Sequence, residues 1–71
     1  MQYNLKEARK QAQKSQMQTA IHMNTTQMQI SKYENGKQDL TLQKAIQLAD
    51  YYGVSLDYLA GRTNNPKNPN L

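Results

Sequence analysis

Glycine occurs at only three positions in this chain, 36, 53 and 61, and each directly follows a run with helical periodicity. A left-handed residue ends a helix at such a place, because glycine reaches positive φ without the steric cost of a Cβ. These three stops, with Ser15, Thr26, Thr41 and Ser55 standing where helices begin, cut the chain into short helical pieces. Strand signals are nearly absent: β-branched residues are few and nowhere alternate with polar ones, and no internal repeat occurs. A chain of 71 residues buries only about 60% of the surface its unfolded form exposes. It contains no cysteine to brace it by disulfide or thiolate metal site. Its stability must come from packing short helices around one small core.

Helical spacing at about 100° per residue places Leu5, Ala8 and Ala12 on one side of a first helix near 4–13, with Lys6 and Lys10 opposite. Ser15 caps a second helix over about 16–23, whose Ala20 and Met23 face inward. Asn24 makes a tight turn at positive φ, and Thr26 caps a third helix over 27–34. Thr41 caps a fourth, in which Leu42, Ala45, Ile46, Leu48, Ala49 and Tyr52 share the apolar arc. Ser55 caps a last short turn carrying Leu56 and Leu59. These elements give one domain over residues 1–61. The Asn- and Pro-rich stretch 62–71 has nothing to bury and is expected to be a disordered tail.

The third helix lies in "TTQMQISKYENGK", residues 25–37, and is polar over most of its surface. Its wheel puts Ile30, Tyr33 and Glu34 inside and Gln27, Met28, Ser31 and Lys32 outside. Amide, thioether and ammonium groups on one face are the chemistry that reads base edges: glutamine bonds adenine bidentately, lysine reaches guanine, and an apolar group meets the thymine methyl. An ordinary solvated face has the same composition, so the spacing decides. A helix, a turn of about three residues at Asn24-Thr25, and a helix opening on Thr26-Gln27 make a helix-turn-helix, whose second helix inserts its N-terminal residues into a major groove.

The segments "SQMQTAIHMNTTQMQISKYENGK" and "LADYYGVSLDYLAGR" resemble the lambda-repressor-like, XRE/Cro-type helix-turn-helix domain of bacterial and phage regulators, over residues 4–62. The resemblance implies a compact five-helix all-α domain that binds double-stranded DNA as a symmetric homodimer, usually to repress transcription. It implies base contacts by Thr26, Gln27, Met28 and Lys32. It also implies phosphate contacts by Ser15, Gln16, Gln29, Asn35 and Lys37, with Gln16 bracing Gln27. Arg9 and Glu34 match a structural ion pair that ties the first helix to the third; removing either charge alone leaves the other buried and uncompensated.

Against the family pattern, Gln13 stands where glycine is frequent, Lys14 and Thr19 where leucine-like residues are preferred, Asn24 at the usual glycine of the turn, and Leu40 at a frequent proline. These departures predict a thinner core around the second helix. Met17 and Ile21 fall on an arc of that helix that is usually polar and could contact a regulatory protein partner. Tyr51, on the polar arc of the fourth helix, is expected with Tyr58 and Leu59 to form the two-fold contact of a dimer.

The charge pattern agrees with a nucleic-acid partner. Residues 1–37 carry six Lys/Arg against Glu7 and Glu34, whereas residues 38–61 carry Lys44 against Asp39, Asp50 and Asp57; the whole chain stands at +4. No apolar run approaches the roughly 18 residues of a membrane span and no signal-peptide pattern opens the chain, so a cytoplasmic location is expected. The single histidine, His22, is expected to be solvated and cannot make a metal site alone. The aspartates are dispersed, and no phosphate loop or nucleophile motif occurs, so no enzyme and no cofactor are expected. The competing reading keeps the same fold as a protein-binding module, such as an antitoxin or adaptor; the non-acidic outward face of the third helix favours DNA.

Overall fold

The computed structural model describes residues 3–63. Among them the fold is all-helical: α1 (Leu5–Gln11), α2 (Gln16–His22), α3 (Gln27–Glu34), α4 (Leu42–Tyr52) and α5 (Leu56–Leu59). The expected tail falls almost wholly on residues 64–71, outside the described residues.

Side-chain oxygens start four of the helices. Ser15 Oγ accepts from the Gln18 backbone N–H at 3.0 Å while Gln18 Oε1 accepts from the Ser15 N–H at 2.8 Å, a reciprocal capping box. Thr26, Thr41 and Ser55 accept from the backbone N–H of Gln29, Lys44 and Tyr58 at 3.2, 3.2 and 3.0 Å. α1 starts differently. Asn4 makes no cap; its Nδ2 donates to the Tyr58 carbonyl at 2.8 Å and its backbone N–H to that of Leu59 at 3.0 Å, clasping the start of α1 to α5.

The helices end alike. Gln13, Asn24, Gly36, Gly53 and Gly61 hold φ of 60°, 57°, 71°, 70° and 82°. Directly after each of them, the N–H of Lys14, Thr25, Lys37, Val54 and Arg62 reaches back five residues to the carbonyl of Arg9, Ala20, Lys32, Ala49 and Asp57. This is one left-handed closure used five times, and it satisfies carbonyls that a helix end leaves open. It stops α1 at Gln11 rather than near 13, and α2 at His22.

The core gathers Leu5 and Ala8 of α1, Ala20 of α2, Ile30 and Tyr33 of α3, Leu48, Ala49 and Tyr52 of α4, and Tyr58 and Leu59 of α5. Thr19 is completely buried among them. Its Oγ1 donates to the Ser15 carbonyl at 3.0 Å and accepts from the Tyr52 hydroxyl at 3.2 Å, so the polar residue at a leucine-like position is fully hydrogen-bonded.

Three expectations are corrected. Leu42 and Ile46 share the apolar arc of α4 in the sequence but are 68% and 44% exposed. The buried stripe runs through Leu48, Ala49 and Tyr52; residues 42 and 46 lie just beyond its Ala49 edge, and Leu42 is moreover the first residue of the helix. Tyr58 and Leu59 were assigned to a dimer surface but are buried; the Tyr58 hydroxyl accepts from Gln11 Nε2 at 3.1 Å, which fixes that ring between α1 and α5. His22 is exposed yet not simply solvated, because its ring stacks on Tyr51 with centroids 3.9 Å apart and planes 11° from parallel. Lys14 Nζ sits 5.2 Å from the centroid of the same Tyr51 ring, so the half-buried tyrosine joins α4 to α2 and to the loop before it.

Candidate nucleic-acid interface

α2 packs closely against α3. The turn between them is set by Asn24 in the left-handed region and by the Thr25 N–H bonded to the Ala20 carbonyl at 2.9 Å. Ile30 and Tyr33 anchor the inner side of α3, each 3% exposed or less. The outer side is open: Thr26, Gln27, Met28 and Lys32 are all exposed, Met28 at 69%. Ser31 is half-buried and accepts from Asn35 Nδ2 at 3.2 Å. The Thr26 hydroxyl oxygen serves as the helix cap, which leaves its own hydrogen available to an outside acceptor.

At the inner end of α3, Glu34 meets Arg9. Arg9 Nε donates to Glu34 Oε2 at 2.7 Å and Nη2 to Oε1 at 3.3 Å, with the two side chains 12% and 3% exposed. Arg9 Nη1 also donates to the Lys14 carbonyl at 3.0 Å. The hydrogen bond to Glu34 binds the guanidinium proton more tightly than is usual for arginine, against the opposing effect of burial.

Gln16, the first residue of α2, extends this pair toward the surface. Its Nε2 donates to Glu34 Oε1 at 3.1 Å, and its Oε1 accepts from Gln27 Nε2 at 3.3 Å. Four side chains, Arg9, Glu34, Gln16 and Gln27, thus form one hydrogen-bonded line from the core to the exposed start of α3. The family resemblance implies the Arg9–Glu34 and Gln16–Gln27 pairs separately. The bond from Gln16 to Glu34 was not legible, because it depends on how α2 lies across α3.

Of the remaining sequence-selected residues, Ser15 is exposed with its hydroxyl engaged in the capping box, Gln29 is half-buried beside Tyr33, and Asn35 and Lys37 are exposed on the loop after α3. Lys44 of α4 reaches the Tyr33 hydroxyl at 3.1 Å and supports α3 from behind. Since Arg9 and Glu34 neutralise one another inside, residues 1–37 present five lysines against Glu7. An exposed helix with amides, a thioether and an ammonium, flanked by lysines and an exposed loop, has the donors, acceptors and charge to meet base edges and phosphates.

A family model described as helix-turn-helix matches residues 5–59, from the first residue of α1 to the last of α5. No curated protein and no solved structure matches the chain significantly.

Proposed function

The chain belongs to the XRE/lambda-repressor-like helix-turn-helix family, and from that premise we propose that it is a transcriptional repressor that binds an inverted-repeat operator as a homodimer, with α3 of each copy in a major groove. Membership alone makes it a DNA-binding regulator. The observation that carries the finer reading is the exposed start of α3, where the Gln27 amide is held by Gln16 and Met28 and Lys32 stand beside it. In this reading Thr26, Gln27, Met28 and Lys32 meet base edges, and Ser15, Gln16, Gln29, Asn35 and Lys37 meet the backbone. Half-sites lie about one helical turn apart.

A two-fold contact needs apolar surface outside the core. Tyr58 and Leu59 are buried, whereas Tyr51 is half-buried and retains exposed area. The exposed Leu42 and Ile46 supply more, and Leu42 also lines a cleft of about 280 Å³ with Tyr3, Leu40 and Leu56. No helix among the described residues is long and apolar enough to cross a membrane.

The deciding experiment is selection of the purified protein on a random duplex library at near-physiological salt. Enrichment of an inverted repeat is expected, and its half-site spacing gives the dimer geometry. Retention that responds to salt but not to sequence would overturn the reading.

A further inference from the structure

We infer that the buried Arg9–Glu34 pair sets the hydrogen-bond polarity of Gln27, and so acts as a remote determinant of which base this residue accepts. The inference rests on the proposed reading of α3 as the base-reading helix, and deepens it by naming what fixes the order of donor and acceptor on the Gln27 amide.

A carboxylate paired with a guanidinium only accepts hydrogen bonds, and Glu34 takes both from Arg9 through Oε2 and Oε1. A glutamine amide has two distinct ends, a donating NH₂ and an accepting oxygen. The group that Gln16 turns toward Glu34 must therefore be its NH₂, at 3.1 Å. Its oxygen is then forced outward, and an oxygen can hold Gln27 only if Gln27 turns its own NH₂ inward, at 3.3 Å. One N–H of Gln27 is thereby committed. What remains for the groove is one N–H and one carbonyl oxygen in fixed order.

That remainder matches adenine, whose major-groove edge offers the N7 acceptor beside the N6 donor. Guanine offers two acceptors, O6 and N7, and would require both Gln27 hydrogens. Cytosine offers a donor alone, and thymine an acceptor beside a methyl group. An unbraced glutamine swings its amide to suit each of these at little cost. The braced one must give up its bond to Gln16 to do so. Glu34 touches no base in this scheme; it is a positioning residue two hydrogen bonds removed from the DNA.

Gln16→Met cuts the line while leaving the ion pair and the core in place. Affinities of the wild-type and variant proteins are compared on the selected operator with each of the four bases at the Gln27 position. Loss of the Gln16 phosphate contact weakens all four equally. The polarity inference predicts, in addition, that preference for adenine at this one position falls about 5- to 10-fold, roughly the worth of one net hydrogen bond, with the other positions unchanged. A uniform loss with adenine preference intact would overturn it.

A second variant tests the source of the polarity. In Arg9→Gln/Glu34→Gln the carboxylate becomes an amide that can also donate, so the line can run in reverse and Gln27 can present both hydrogens. A shift from adenine toward guanine is expected at low temperature, where the weakened fold persists. Retention of the full adenine preference by the folded double variant would overturn the assignment to Glu34.

A readout without DNA separates this inference from the proposed function. In the wild-type protein one Gln27 side-chain amide proton should show a hydrogen-bonded NMR shift and slowed exchange with water, and both should vanish in Gln16→Met. Their absence from the wild type would overturn the relay whatever the DNA result. Their presence in a protein that enriches no sequence would support the relay and overturn the DNA reading.

Discussion

Thr19 is completely buried, and its hydroxyl is the partner of the Tyr52 hydroxyl. Replacing Thr19 by Val leaves that phenol without a partner, whereas the Ser15 carbonyl still accepts from the Thr19 backbone N–H. Thr19→Val should cost about 1–3 kcal/mol in urea unfolding. Tyr52→Phe should cost less, because the Thr19 hydroxyl keeps its bond to Ser15. The double variant should cost less than the sum, by on the order of 1 kcal/mol; strict additivity would refute the pairing. Tyr52 also couples stability to pH. Burial, opposed by the Thr19 hydrogen bond, raises its pKa above the ordinary tyrosine value. The unfolded chain then loses the proton first, so this contribution is fully present below about pH 10 and is lost as pH rises through the folded pKa. Tyr33 works in the opposite sense. Burial would raise its pKa, but the bonds with Lys44 and Gln29 and the Lys44 charge outweigh burial and lower it. Between pH 8 and pH 10.5, Tyr52→Phe should therefore lose less stability than the wild type, and an equal loss would count against the assignment.

At the scale of elements, the common left-handed closure places a non-glycine residue under strain at Gln13 and Asn24. Asparagine tolerates this region better than glutamine does. Gln13→Gly should stabilise the domain by about 0.5–1 kcal/mol, seen as a melting temperature several degrees higher. A lower melting temperature would mean that the Gln13 side chain contributes more than its backbone costs. The closures at glycine, the turn at Asn24 and the four hydroxyl caps could be read in advance, since each depends on residues within one turn. Gln13 was visible only as an odd residue at a glycine position. The facing of Leu42 and Ile46 could not be read, because an arc six residues wide in α4 fits more than one rotation and the packing of α1 and α5 chooses among them. For the same reason the burial of Tyr58 and Leu59 is not legible: a four-residue helix shows too little periodicity to say which side is clasped by Asn4. In the candidate interface, the outward set on α3 was legible from its wheel, whereas the link from Gln16 to Glu34 joins residues 18 apart in sequence and exists only once α2 and α3 are docked.

At the scale of the molecule, the charge is arranged so that the core pair is neutral and the lysines of the first half are left to the outside. Lys37→Ala should weaken binding to selected and unselected duplexes alike, and should reduce the slope of log K against log salt by about 0.9. A loss confined to the selected sequence would instead make Lys37 a base reader. The lengths of the helices, from four residues in α5 to eleven in α4, bear on more than shape. Isolated helices shorter than about 12–15 residues are marginal in water, so no helix here can outlast the others once the core opens. The amides next to the buried core residues of α1 to α4 are then expected to exchange through the global opening, whereas the exposed helix ends exchange through local fraying. The lifetime of such a regulator against proteolysis follows from the small fraction of molecules that is open at any moment.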